Sequence, residues 1–118
     1  MTTLQELAQQ HCAPRQQALT ASEAASLLAL LPAWQLQDGM LSRTFQFKNY
    51  YQTLAFVNAL AYMTHAQDHH PELIITYQSC TARYRTHSVN QGAGGLSDND
   101  FICAAKADAL YQSSQVAP

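Results

Sequence analysis

The chain has 118 residues, 47% of them apolar, a formal charge of −2 and a pI near 6.1. That length holds one ordinary domain rather than two cores, and the apolar share is that of a globular protein. No basic excess exists to neutralise several phosphates, so nucleic acid is not an expected partner.

Cys12, Cys80 and Cys103 are odd in number and form no CxxC pair, usage that fits a reducing compartment better than a disulfide framework. Residues Met1 to Gln10 lack a basic n-region and an apolar h-region, so no secretory signal is expected. The apolar run from Ala24 to Leu31 is far below the roughly 20 residues of a membrane span. A cytoplasmic protein with no membrane partner is the expectation.

In chain order, residues 1–19 are polar and Gln-rich and read as a loosely attached N-terminal arm. A domain over 20–112 and a tail over 113–118 are expected to follow. Thr20 and Glu23 form a capping-box pattern that starts a helix over Ala21 to Leu31, stopped by Pro32. Trp34 to Gln37 alternates as a strand, and Asp38-Gly39 is a strong hairpin signal, because a type I′ turn needs positive φ at both positions. On the return strand Leu41, Phe45 and Phe47 share the dry parity, and Ser42, Thr44 and Gln46 the wet one. Asn49 and Gln52 then open a helix from Tyr50 to Thr64 or a little beyond, with an apolar stripe of Leu54, Val57, Leu60 and Ala61. Leu73 to Tyr77 and Cys80 to His87 form a second strand pair. Residues 90–95 form a glycine-rich loop, and Ser97 with Asp100 can cap a last helix over Asp98 to Tyr111. The order α-β-β-α-β-β-α predicts an α+β fold: a four-stranded antiparallel sheet covered on one face by three helices.

Chemistry concentrates where four of the five histidines fall, between His65 and His87, with Asp68 and Asp100 near them. Histidine changes charge near neutral pH, so such a group suits proton transfer or metal binding. Each residue also has a plain structural reading. His69-His70-Pro71 sits where a helix gives way to a strand, and histidine favours a helix C-terminus. His65 is spaced i, i+4 from His69, a metal-pair spacing, but the glutamate of an HExxH motif is missing. His87 ends a strand beside the glycine loop, Asp100 is the N3 partner of Ser97, and Arg83 and Arg85 read as a solvated strand face. Cys80 and Cys103 read as small core residues. The glycine loop lacks both the Rossmann spacing and the Walker lysine.

The pattern His65-x3-His69-His70-Pro71-x5-Tyr77-x9-His87-x12-Asp100 resembles the signature of the pterin-4a-carbinolamine dehydratases. Supporting segments are Arg43 to Lys48, Thr86-His87, and Gly95-Leu96-Ser97-x2-Asp100, so the resemblance spans about residues 20–112. It departs at Leu73, where many members carry an aromatic residue, at Asn99, where a basic residue often precedes the Asp, and in the longer loop 90–95.

The resemblance implies a lyase that dehydrates 4a-hydroxytetrahydrobiopterin or a close pterin to the quinonoid dihydropterin, with neither metal nor redox cofactor. It also implies homo-oligomers, dimers or tetramers. By motif position, His69 and His87 would act as general acids on opposite faces of the carbinol carbon, and His70 would bind the pterin and serve as base. Asp68 and Asp100 would orient imidazoles or hold the pterin edge, with Pro71 fixing the turn and His65 and Leu73 near the substrate. Animal relatives also bind a homeodomain transcription factor, a role that nothing in these residues supports. Two other readings stay open: a non-catalytic pterin- or molybdopterin-related binding or assembly module, and a metal-dependent hydrolase or metal-binding protein using His65, His69 and a further histidine.

Overall fold

The computed structural model describes residues 3–114. Residues 1 and 2 of the segment inspected for a secretory signal, and residues 115–118 of the expected tail, lie outside the described residues. Among the described residues the chain forms α1 (Leu4–Gln9), α2 (Ala21–Leu28), β1 (Gln35–Gln37), β2 (Met40–Gln46), α3 (Tyr50–Gln67), β3 (Glu72–Ile75), β4 (Ser79–Tyr84) and α4 (Asp98–Ser114), with a 3-10 turn at Asn90–Gly92. The strands make one antiparallel sheet in the order β1-β2-β4-β3. The α+β class and the two hairpins are as expected, with α1 as a fourth helix.

Local chemistry explains the element starts. The Thr20 hydroxyl accepts from Glu23 N and the Glu23 carboxylate accepts from Thr20 N, a complete capping box for α2. Asn49 Oδ1 accepts from Gln52 N at the start of α3. Asp38 (φ 54°) and Gly39 (φ 76°) both take the left-handed conformation that the β1–β2 turn requires.

In the register of β2 against β4, Leu41, Arg43 and Phe45 face Tyr84, Ala82 and Cys80 as cross-strand partners. All of these except Arg43 are fully buried, and Phe101 to Ala105 of α4 cover them. Phe45, Phe47, Phe56 and Tyr111 form an aromatic cluster with ring centroids 4.7–6.0 Å apart. Arg43 points into this dry layer, where its guanidinium donates to Asp108 Oδ1 at 2.6 Å and lies over the Phe45 ring. The other parity pairs Thr44 with Thr81, hydroxyl to hydroxyl at 2.7 Å.

Helix α2 stops at Leu28 rather than Leu31, β3 spans Glu72–Ile75 rather than Leu73 to Tyr77, and Ser42 of the expected wet parity is buried. Three further expectations need correction. The buried stripe of α3 is Thr53, Phe56 and Leu60, with Leu54 and Val57 half-buried and Ala61 exposed. Thr53 carries that shift: its hydroxyl reaches Asn49 O and Tyr77 O, so a polar residue can be buried with its bonds satisfied. Strand β4 ends at Tyr84 rather than His87, because Thr86 turns away to bridge Gly95.

The N-terminal segment is not loose. Leu7 of α1 is buried against α4, and Lys106 Nζ donates to Ala8 O. Beyond α1, Asn90 N donates to Gln16 O and Leu19 N to Leu96 O, which stitches residues 16–19 to the glycine loop. Gly95 permits this approach, since a Cβ there would lie 2.9 Å from the Ala18 methyl.

Candidate active site

The end of α3 sets the first histidines. Asp68 closes the helix in the left-handed conformation (φ 53°), and its N–H and that of His69 reach back to His65 O and Thr64 O. The chain thereby leaves the helix before His69, so His65 and His69 do not share a helical face. His65 is exposed, whereas the His69 side chain is only 12% exposed.

Asp100, in the first turn of α4, receives His69. Its side chain is wholly buried; Oδ1 lies 2.7 Å from His69 Nε2, and Oδ2 accepts from Thr86 Oγ1 and Ser97 N, both at 2.9 Å. A carboxylate can only accept, so the Thr86 hydroxyl points at Asp100 and the Ser97 hydroxyl, 2.6 Å away, donates to Thr86. Ser97 Oγ in turn accepts from Asn99 N. The helix N-terminus adds its positive end to these donors. Asp100 thus combines the capping task with a hold on His69. With Nε2 committed, Nδ1 is the ring nitrogen left for proton exchange. A face of the imidazole stacks on Tyr84 at 5.9 Å and 15°. Tyr84 is buried, its hydroxyl has no partner among the described residues, and desolvation raises its pKa well above the usual phenol value.

A cleft of about 410 Å³ opens in front of this pair. Asp68, His69, His70 and His87 all line it, from the end of α3 and the turn after β4. His70 and His87 are exposed there. His65, Pro71, Leu73 and Tyr77 are not among its lining residues. Pro71 follows the two histidines directly, Leu73 lies on β3, and Tyr77 stacks on Tyr50 at 5.8 Å. Among the described residues no three His, Cys, Asp or Glu side chains are grouped to share a metal ion.

The remaining wall was not foreseen. Cys12, Ala13, Pro14 and Arg15 line the cleft, held by Asn99. Asn99 Oδ1 accepts from Ala13 N and Arg15 Nε, and its Nδ2 donates to Ala13 O at 2.7 Å. Cys12 N donates to Gln67 Oε1, tying the same segment to α3. The departure at Asn99 was the visible signal: an amide can clamp a backbone through both of its polar ends, which a cation cannot. Arg85 also lines the cleft rather than a solvated face, donating to Ala93 O of the glycine loop. A Cβ at Gly94 (φ 84°) would collide with that guanidinium.

A buried carboxylate that steers an imidazole beside an open cleft is an arrangement able to move protons on a small molecule, carried on a sheet-and-helix scaffold. The model of the family described as pterin 4 alpha carbinolamine dehydratase matches residues 17–110, and the chain belongs to that family. It is 51% identical over its whole length to a Bdellovibrio bacteriovorus protein, covering 98% of that relative, and 50% identical over 96% of its length to a Nitrosomonas eutropha protein, covering all of it. Both relatives bear the provisional name pterin-4-alpha-carbinolamine dehydratase. Among solved structures it resembles a transcriptional coactivator/pterin dehydratase from Brucella melitensis, with TM-score 0.73, 30% identity, and 80% of this chain and 98% of that one covered. A pterin dehydratase-like protein identified as a RuBisCO assembly factor in the alpha-carboxysome matches with TM-score 0.54 and 26% identity, over 66% of this chain and 86% of that one. No helix among the described residues is long and apolar enough to cross a membrane.

Proposed function

We propose that this protein dehydrates 4a-hydroxytetrahydrobiopterin, or a close pterin carbinolamine, to the quinonoid dihydropterin. The observation that carries the reading is the His69–Asp100 pair at a cleft that His70 and His87 also line. The N5 lone pair of the pterin expels the 4a-hydroxyl once an acid protonates that oxygen and a base takes the N5 proton. His69, held through Nε2, presents Nδ1 as the acid on one face of the carbinol carbon and His87 is the acid on the opposite face, so that one of the two protonates the hydroxyl, while His70 binds the pterin and accepts the N5 proton. Asp100 positions His69, and Asp68 holds the amide and amino edge of the pterin. His65, Pro71 and Leu73 act from outside the cleft lining: Pro71 fixes the turn of the histidine pair, and His65 and Leu73 border the substrate's approach. Imidazole both gives and takes protons, which suits such steps, each contributing on the order of 10²–10⁴-fold. No cofactor enters this chemistry.

In a cell with an aromatic amino-acid hydroxylase the reaction returns the pterin for reuse. The cytoplasm is the compartment that suits three free thiols, and the working form is a homo-oligomer. A coupled hydroxylase assay tests the role: added protein should relieve the accumulation of carbinolamine, and His70→Ala should not. No relief by the wild-type protein refutes the role.

The likeness to a RuBisCO assembly factor favours one second reading, a binding or assembly module that kept the fold without turnover. That reading expects pterin binding or a co-purifying partner together with a carbinolamine lifetime equal to that in buffer.

A further inference from the structure

Cys12 and Cys103 are 91 positions apart in the chain, yet their sulfur atoms lie 3.4 Å from each other. Cys12 is half-exposed and lines the cleft, whereas Cys103 is fully buried on α4. Cys12 belongs to an irregular stretch outside any helix or strand. With that stretch clamped by Gln67 and Asn99, the Cys12 sulfur can reach S–S bonding distance, about 2.0 Å, by rotation about the Cα–Cβ bond with small backbone shifts, while α4 stays in place. Cys103 also touches the His69 carbonyl at 4.0 Å, and Cys12 the Asn99 carbonyl at 3.7 Å, so the pair packs against the backbone of both residues.

We propose that Cys12 and Cys103 form a reversible dithiol–disulfide site, with Cys12 as the sulfur that meets a small peroxide and Cys103 as the one that resolves it. The two thiols are unequal in the required sense. A hydrogen bond from Cys103 lowers the Cys12 pKa, with His69, Lys106 and Arg15 helping and burial opposing. The same bond and burial raise Cys103, whose other neighbours are Asp100 and Lys106. The thiolate is the nucleophile, and an accessible one beside a resolving thiol is how redox-responsive cysteines are built.

In the first step the Cys12 thiolate attacks one oxygen of hydrogen peroxide. An S–O bond forms, the O–O bond breaks, and the departing hydroxide takes a proton to become water. Cys103 then loses its proton and attacks the Cys12 sulfur; the S–S bond forms, the S–O bond breaks, and a second water leaves. Two thiols lose two electrons and the peroxide gains them. A dithiol reductant reverses the change by exchange. The product would tie the 12–15 wall of the cleft covalently to α4.

Peptide mapping of the intact protein after brief peroxide treatment at neutral pH, with alkylation before and after denaturation, tests this site without reference to turnover. The expected product is a Cys12–Cys103 linkage, two hydrogen atoms lighter and reversed by dithiothreitol, with Cys80 still a free thiol. In Cys103→Ser the oxidation should stop at a Cys12 sulfenic acid that a dione probe captures; the circular dichroism of that variant reports whether it folds. In folded wild-type protein, a persistent Cys12 sulfenic acid, a linkage through Cys80 or between two chains, or no reaction at Cys12 would each overturn the proposal.

Discussion

At the residue scale, Asp100 decides how His69 behaves. The Asp100 carboxylate accepts from His69 Nε2, Thr86 and the Ser97 amide at once, which fixes both the orientation and the tautomer of the imidazole. Asp100→Asn keeps the shape but brings an NH2 group toward these donors. The expected result is a fall in dehydration rate on the order of 10²–10⁴-fold, with a stability loss of about 1–3 kcal/mol. Rate and chemical denaturation measured on the same sample check this; an unchanged rate in a destabilised protein would leave Asp100 as a cap alone. Cys80 gives a separate residue-scale expectation. Burial pushes its thiol up to about 11 from 9.0, so the folded state holds this proton more tightly than the unfolded state. Its contribution to stability is complete below 9.0 and is lost as pH rises toward about 11. In thiol titration near neutral pH, Cys80 should react only after denaturant is added, and prompt reaction in the native protein contradicts the burial.

At the scale of elements, the histidine cluster was legible in the sequence and the wall opposite it was not. His69, His70 and His87 stand out because few residue types change charge near neutral pH and three of them flank breaks between elements. Residues 12–15 have no periodicity to read. Their order comes from the Asn99 amide, more than 80 positions along the chain. The same cause explains the end of β4, where Thr86 is drawn out of the ladder by Asp100 and Gly95. The α3 stripe was displaced for another reason: hydropathy scores Thr53 as polar, although its hydroxyl is satisfied internally. Arg43 shows the converse, a charge on the dry parity made tolerable by Asp108. Asn99→Ala should release the 12–15 wall, raising KM by more than it lowers kcat. Steady-state kinetics separate the two effects, and equal losses in kcat and kcat/KM would instead place Asn99 with the reacting groups.

At the scale of the whole molecule, the sheet has two open edges, and β3 shows Ile74 and Ile75 at 48% and 43% exposure. Tyr51 and Tyr62, eleven residues apart and so on one face of α3, are each 81% exposed. Natural proteins seldom leave apolar edge strands bare, and this distribution supports assembly through β3, α3 or both. Light scattering should find a dimer or tetramer, and a charge introduced by Tyr62→Glu should shift it toward monomer if α3 takes part. A wild-type monomer at assay concentration contradicts assembly. The core itself should be unforgiving: Phe56→Ala, which removes a ring from among Phe45, Phe47 and Tyr111, is expected to cost about 3–5 kcal/mol by denaturant unfolding.

The most direct measurement of the central claim is stopped-flow decay of freshly formed pterin carbinolamine, with wild-type protein and with a folded His69→Ala/His87→Ala variant. The wild-type protein should shorten the carbinolamine lifetime at catalytic concentration, and the double variant should lose at least about 10²-fold of that acceleration. A wild-type lifetime equal to that in buffer, or an undiminished rate in the double variant, would contradict dehydration by these histidines.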